Sequence, residues 1–320
     1  MENIIEVKNL KKYFDVPRGT LHAVDNISFS MKEGDTLGVV GESGCGKSTM
    51  GRVLMNLLPS TDGEVLFYGK KINGLKGKEL LALRSQMQMI FQDPYSSLNP
   101  RMTVSQTIEE PLITCHIEPD KEKRKAIVKD MMDTVGLSRR YENAYPHEMD
   151  GGRRQRVGIA RALVLNPRFV VCDEPVSALD VSIQAQILNL LQDIQKERNL
   201  NYLFITHNLS VVKHISNEIM VMYLGQAVEK CSSKELFLHP LHPYTKALLS
   251  AIPVPTPGYK RERILLKGEL SSPINPKNEC RFAKRCNYAC EACFQSAPVQ
   301  EEVLPGHFVS CHRVREINQI

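Results

Sequence analysis

Gly41 to Thr49 reads GESGCGKST, a glycine followed after four residues by Gly46, Lys47 and Ser48 in the spacing GxxxxGK[ST]. Each position has a physical use. Glycines let the backbone turn so that successive N–H groups point at one set of phosphate oxygens, and a following helix N-terminus adds positive potential. Lys47 neutralises charge on the β- and γ-phosphates, and Ser48 offers a hydroxyl to Mg²⁺. The candidate nucleotide contacts are therefore Gly41, Ser43, Gly44, Cys45, Gly46, Lys47, Ser48 and Thr49. Thr36 to Val40 just upstream is a short apolar strand. Lys47 to Leu58 downstream has the length and apolar spacing of a helix that stops at Pro59. Strand, glycine turn and helix in this order are the context the motif requires.

Outward from that unit, Ile4 to Leu10 and Ala23 to Met31 read as strands separated by a turn-rich stretch with Pro17, Arg18 and Gly19. Between Lys78 and Leu165 the pattern turns charged and helical, with segments at Glu79 to Leu83, Val104 to Leu112 and Lys121 to Val135 before Gly136. Apolar strands resume at Phe169 to Cys172 and Tyr202 to Ile205. Between them, Val181 to Arg198 is a helix whose Ile183, Ile187, Leu190, Leu191 and Ile194 share a face. Alternating strands and helices favour a parallel sheet covered on both sides. After Ser250 come Pro253, Pro255, Pro257 and Gly258, a composition break typical of a linker. The expected division is residues 1–250, with a helical subdomain at about 93–165, and residues 251–320.

The whole chain is compatible with this. At 320 residues it has room for one large or two modest domains, and 42% apolar with 24% charged residues argue against a disordered, collagen-like or coiled-coil chain. Forty-one Lys plus Arg against 36 Asp plus Glu leave +5, too little to propose a nucleic-acid binder on charge alone. No window approaches 18 consecutive apolar residues, and the opening MENIIEVKNLKKYF lacks the apolar core of a signal peptide. A soluble intracellular chain is expected, with its nine cysteines as thiols or metal ligands rather than disulfides.

The strand Phe169 to Cys172 ends in Asp173 and Glu174, one carboxylate to hold Mg²⁺ and the next to polarise an attacking water. His207 follows the strand Tyr202 to Thr206 and would reach the same sheet edge, although a lone histidine there is more often a surface residue. Further stations are FQDP with Gln92, DGGRRQRVGIARAL from Asp150 to Leu163, VVCDEP at Val170 to Pro175, SALD at Ser177 to Asp180, and TH at Thr206 and His207. On these residues the chain resembles the ATP-binding subunits of ABC transporters, specifically the oligopeptide/dipeptide group of bacterial importers, over nearly its whole length.

The resemblance implies an α/β fold. Its core would be a P-loop nucleotide hydrolase with a mostly parallel sheet, an antiparallel β N-terminal part and a helical subdomain, followed by a small Cys-rich C-terminal module. It implies two ATPase subunits facing head to tail, with ATP between one phosphate loop and the partner's signature Asp150, Gly151 and Gly152, so that binding closes the pair and hydrolysis reopens it. Lys47, Ser48, Gln92 and Asp173 would hold phosphates and Mg²⁺, Glu174 would be the general base, and His207 would contact the γ-phosphate. Tyr13 sits where such proteins stack an aromatic on adenine, a place a core tyrosine also fits. Tyr95 to Pro100 would receive a helix of a membrane subunit. The partners implied are a second ABC ATPase, two transmembrane permease subunits and an extracytoplasmic solute-binding protein, with this chain peripheral on the cytoplasmic face. Dipeptides or oligopeptides are the expected cargo, with nickel and related solutes as alternatives.

The family signature normally has Ser, Gly, Gly, Gln where this chain has Asp150, Gly151, Gly152 and Arg153, and the first departure matters. Asp150 stands where the signature normally has serine, so a carboxylate replaces the hydroxyl that faces the partner's γ-phosphate. Two unit charges near 5 Å at an effective dielectric of 20 repel by roughly 3 kcal/mol, about two orders of magnitude in affinity. An asymmetric heterodimer is expected, with Arg153 or Arg154 available to screen the charge.

Five cysteines crowd the tail: Cys280, Cys286, Cys290, Cys293 and Cys311, with His307 and His312 nearby. Four thiolates can enclose Zn²⁺ or a [4Fe–4S] cluster, and the spacing alone leaves zinc slightly ahead, since Cys290 and Cys293 form a tight pair. The resemblance, through HPYTKALLSAIP at His242 to Pro253 and CRFAKRC at Cys280 to Cys286, implies a [4Fe–4S] site on Cys280, Cys286, Cys293 and Cys311, with Cys290 as an extra thiol. Two rivals to the importer are a soluble ABC-type ATPase serving nucleic acid or translation, and a regulatory ATP-binding subunit that barely hydrolyses.

Overall fold

The computed structural model describes residues 3–252, 263–268 and 272–320. The proline-rich stretch Pro253, Pro255, Pro257 and Gly258, expected as a linker, lies outside the described residues. The chain divides into two compact units, one of Lys32–Asp35 and Gly74–Ile205, the other of Glu2–Met31, Thr36–Asn73 and Thr206–Ile320.

In the first unit, three buried strands run parallel: Met87–Ile90 pairs with Phe169–Asp173, which pairs with Asn201–Ile205. The register sets Met87 opposite Phe169 and Phe169 opposite Asn201, so all three strands end at one edge, from which Gln92 and Glu174 continue. The helix Val181–Arg198 connects the last two strands and buries Ile187, Leu191 and Ile194; each such side chain contributes about 1.5–3 kcal/mol. Its ends match the expectation, but Ile183 and Leu190, expected on the same face, are only half-buried. The helices Gly77–Gln86, Val104–Thr114, Lys121–Thr134 and Gly151–Leu163 make up the helical part of this unit. Their starts are specified locally. Thr103 and Gln106 form a reciprocal cap on one, and the Asp120 carboxylate accepts from the Glu122 and Lys123 N–H groups on another.

In the second unit, Thr36–Val40 pairs in parallel with Glu218–Tyr223, Gln226–Ser232 folds back antiparallel, and His307–Val309 and Glu301–Leu304 extend the sheet outward. A separate antiparallel sheet has the order Gly19–Lys32, Asn3–Val16, Asp62–Phe67, Lys70–Lys71. Its two long strands run past the expected limits at Leu10 and Ala23, because antiparallel pairing carries the first strand on through the polar stretch of Lys11, Lys12 and Asp15, which has no apolar alternation to announce it. The phosphate-loop helix is shorter than expected, Lys47–Leu54 rather than to Leu58. Asn56 adopts a left-handed φ of 52°, and the Leu57 N–H reaches back to the Arg52 carbonyl at 2.9 Å, a cap that ends the helix a turn before Pro59. The last elements close on a small core of Leu241, Val303, Val309 and Val314, with Cys311 against it. Among the described residues no helix is long and apolar enough to cross a membrane.

The expected architecture is present: mixed α/β with parallel strands, an antiparallel N-terminal sheet and a helical part.

Candidate functional site

The second unit carries the phosphate loop. Thr36–Val40 is buried throughout and delivers the chain to Gly41. Gly46 is the N-cap residue of Lys47–Leu54, left-handed at φ 103° and without any side-chain cap, so the helix presents backbone N–H groups where another helix would place a serine or aspartate. Only glycine fits there, since a Cβ would lie 2.0 Å from the Ala23 carbonyl oxygen. The tip at Ser43 and Gly44 is exposed, whereas Cys45 is buried, with burial pushing its thiol up. Lys47 is 4% exposed and its Nζ donates to the Gly41 and Glu42 carbonyls at 2.8 and 3.0 Å, folded over the loop. An uncapped helix start, a glycine turn and a lysine above it form a cradle that fits a phosphate chain. Ser48 and Thr49 follow in the first turn, both half-buried.

His207 belongs to the same unit. The Thr206 N–H donates to the Val39 carbonyl at 3.1 Å, two residues before Gly41, so the exposed His207 leaves the sheet edge beside the loop. Tyr13 is not a core residue. It is half-buried, stacked on His22 with ring centroids 3.8 Å apart, and its hydroxyl donates to Asp25 at 2.5 Å. Burial raises the Asp25 carboxyl, but Tyr13, Arg281 and His22 outweigh it and hold the group below the ordinary carboxylate range.

The first unit carries the carboxylates. Asp173 closes its strand at 1% exposure. Glu174 follows at φ 48°, a left-handed conformation costly for a side chain of this kind, fixed by its N–H to the Ile205 carbonyl at 2.9 Å and by the Ser177 hydroxyl on its carbonyl at 3.1 Å. The exposed Gln92 donates from Nε2 to Glu174 Oε2 at 3.1 Å, which brings two of the expected residues together. Asp150 is the N-cap of Gly151–Leu163: it accepts the Arg153 N–H at 2.8 Å and pairs with the Arg153 guanidinium at 2.7 Å. Of the two arginines expected to screen it, Arg153 does so, while Arg154 donates to the Pro146 carbonyl.

The tail cysteines come together in part. Cys290 and Cys293 have sulfurs 3.7 Å apart, and the Cys280 N–H donates to the Cys293 carbonyl at 2.8 Å. Burial, with neighbouring thiols adding, pushes Cys280 up to about 12 and Cys311 up to about 11. At neutral pH these thiols stay protonated. Among the described residues, the group of three potential ligands whose donor atoms all lie within 4.8 Å of one another is elsewhere: Glu229, Cys231 and His307. The Glu229 carboxylate there is already engaged, accepting from the Leu241 and His242 N–H groups at 2.7 and 3.0 Å and pairing with His307 at 2.7 Å, so it serves as a buried tie.

Sequence reasoning missed one set of contacts. Tyr244 of the HPYT stretch receives the Glu42 N–H at 3.0 Å, and Arg285 of CRFAKRC pairs with the Glu42 carboxylate. Both motifs were visible, but their partner lies about two hundred residues upstream.

Residues 24–177 match the family described as ABC transporter, and residues 228–293 match the oligopeptide/dipeptide transporter C-terminal region. The chain is 52% identical over 311 residues to the oligopeptide transport ATP-binding protein OppF of Escherichia coli (strain K12), covering 97% of this chain and 93% of that protein. It is 50% identical over 321 residues to the oligopeptide transport ATP-binding protein AppF of Bacillus subtilis (strain 168), covering 97% of each. Among solved structures it is similar to the dimeric bacterial ABC transporter cassette MJ0796, with a TM-score of 0.66 and 30% identity over 72% of this chain and 98% of that one. A post-hydrolysis dimer of the same cassette, bound to ADP and Pi, matches with a TM-score of 0.66 at 29% identity.

Proposed function

The chain belongs to the ATP-hydrolysing subunits of ABC transporters, and from that premise we propose that it powers import of oligopeptides or dipeptides through membrane partners. The observation that carries this reading is likeness along almost the full length to oligopeptide transport ATP-binding proteins, the C-terminal region included.

In this reading Lys47 and the loop N–H groups of Gly41 to Ser48 bind the ATP phosphates, Tyr13 lies at the base, and Ser48, Asp173 and Gln92 hold Mg²⁺. The ion, when bound, neutralises charge on the β- and γ-phosphates. Glu174 takes a proton from water as its oxygen bonds to the γ-phosphorus and the bond to the β-phosphate oxygen breaks, giving ADP and phosphate. Gln92 holds the Glu174 carboxylate in place through its Nε2 donor, and His207 contacts the γ-phosphate. Gly151 and Gly152 at the start of the signature helix serve a partner's nucleotide.

The partners in this proposal are a second ATPase, two permeases and a solute-binding protein, with the chain peripheral on the cytoplasmic face. The pair is a heterodimer in which the site completed by Asp150 is the weaker. The pairing with Arg153 screens the carboxylate, so the penalty falls below the bare-charge figure. Replacing Asp150 by serine is expected to raise nucleotide occupancy of the assembled complex; unchanged occupancy and ATPase activity would refute the asymmetry. The working division remains residues 1–250 for the ATPase and 251–320 for the C-terminal part.

Cys280, Cys286, Cys293 and Cys311 hold a [4Fe–4S] cluster in this proposal, with Zn²⁺ the alternative favoured by the close Cys290 and Cys293 sulfurs. Either would cross-link the tail, and iron would add one-electron chemistry. Anaerobic purification is expected to give iron and an absorption band at about 400 nm; zinc without iron selects the alternative, and neither metal overturns both.

The function is tested by affinity purification of the tagged chain from native membranes in mild detergent. Recovery of two multi-span proteins, a second ATPase and a solute-binding protein is expected. Ribosomal or nucleic-acid partners without membrane proteins would overturn the importer.

A further inference from the structure

The segment CRFAKRC from Cys280 to Cys286 carries two arginines that the ATPase reading does not use, and both reach the nucleotide side of the second unit. The Arg285 fork takes both oxygens of Glu42, at 2.7 and 3.1 Å, and Glu42 is the second residue of the phosphate loop. The Arg281 guanidinium donates to Asp25 and to the Leu224 carbonyl, and Asp25 is the group that holds the Tyr13 hydroxyl. Between the arginines, Phe282 packs edge-on against Tyr223 and at a tilt against Tyr244, which fixes the segment on its neighbours.

We propose that Arg285 and Arg281 are positioning residues for the nucleotide, Arg285 acting at the phosphate end through Glu42 and Arg281 at the base end through Asp25 and Tyr13. This rests on the reading that the phosphate loop binds ATP.

The chemistry of each contact gives its role. Glu42 places a carboxylate in a loop built to receive a polyanion, where an unpaired negative charge opposes binding. The bidentate pairing with Arg285 neutralises that charge and fixes the loop's first turn. The Tyr244 hydroxyl holds the same residue by its N–H, so side chain and backbone of Glu42 are both gripped by segments more than two hundred residues downstream. At the base end, the Arg281 side chain is 7% exposed and that of Asp25 15%, so their pairing is little screened by water. The Asp25 N–H donates to the Gly225 carbonyl and the Gly225 N–H to the Cys45 carbonyl, both at 2.8 Å. The Gly225 turn thus ties the base end to the phosphate loop through backbone bonds that need no arginine side chain.

The two ends separate with two ligands, ATP and inorganic tripolyphosphate, each with Mg²⁺ and titrated against the full-length chain. In Arg285→Ala both ligands are expected to bind about tenfold more weakly, and adding Glu42→Gln to that variant is expected to restore both to within about threefold of the parent. In Arg281→Ala, ATP is expected to weaken by a similar factor while tripolyphosphate binds as in the parent, and Arg281→Lys is expected to recover part of the loss. Equal weakening of both ligands by both variants, or no rescue by Glu42→Gln, would mean general loosening of the fold and would overturn the assignment. So would affinities unchanged in both variants. The parent chain and Lys47→Ala distinguish this from failure of the ATP site itself: if the parent binds neither ligand, or Lys47→Ala binds like the parent, the site reading falls and the inference with it.

Discussion

Glu174 combines the catalytic role proposed for it with an unfavourable backbone, and its neighbours determine what a substitution does. Its left-handed φ of 48° is imposed by the Ile205 carbonyl and the Ser177 hydroxyl, which bond the backbone and not the carboxylate. Glu174→Gln therefore keeps the turn and the Gln92 contact in place while removing the base. It is expected to retain nucleotide binding and to hydrolyse ATP at least about a hundredfold more slowly, measured by single-turnover phosphate release. His242 offers a residue-level prediction of another kind. Its imidazole is fully buried and accepts the Tyr244 N–H at 3.1 Å; burial pulls its pKa from 6.5 down to about 4, against the opposing pull of the Glu229 carboxylate. Above about pH 6.5 both folded and unfolded chains are neutral there, and below it only the unfolded chain takes the proton, so stability falls until about pH 4. Between pH 7.5 and pH 5 this costs about 2 kcal/mol. Urea unfolding of His242→Asn, which keeps a capping side chain, is expected to show that much less acid destabilisation than the parent.

At the scale of elements, the signature helix shows how a cap and a charge are distinguished. Asp150 holds the Arg153 N–H as the N-cap of Gly151–Leu163, a task serine performs as well. Asp150→Ala is expected to cost about 1 kcal/mol in denaturant unfolding and Asp150→Ser close to nothing, so any change in nucleotide occupancy with serine reports charge alone. The elements legible in the sequence were those whose ends are written locally: the buried strand Thr36–Val40, and the helix Val181–Arg198 closed by a left-handed Asn199. The hairpin of Glu218–Tyr223 and Gln226–Ser232 was not legible, because its turn is Leu224 and Gly225, both at positive φ, and leucine carries no turn signal. The strand Met87–Ile90 was hidden in a charged, helical context and exists because Phe169–Asp173 pairs with it. Among the candidate site residues, Lys47, Asp173, Glu174 and Gln92 were proposed from motifs. Glu42, Tyr244, Arg281 and Arg285 were not assigned roles, because their chemistry arises only where distant segments meet.

For the molecule as a whole, binding at the phosphate loop stabilises the fold by mass action. At Mg·ATP concentrations a hundred times the dissociation constant the gain is about 2.7 kcal/mol, which corresponds to a rise in Tm of about 4 °C for a chain of this size. Differential scanning fluorimetry is expected to show that rise in the parent chain and in Glu174→Gln, and to show none in Lys47→Ala. The grip on Glu42 also bears on how the protein is made. The phosphate loop leaves the ribosome early, but Arg285 is encoded 243 residues later. At typical synthesis rates that interval is roughly 10–50 s. Throughout it the nascent loop carries an uncovered Glu42 carboxylate, and for the first 202 residues of it the Tyr244 hydroxyl is missing from its backbone as well. With the role proposed for Arg285, the growing chain is a poor ligand trap for nucleotide until that residue has emerged, and a truncated product ending before Arg285 would release as a poor competitor of the finished subunit.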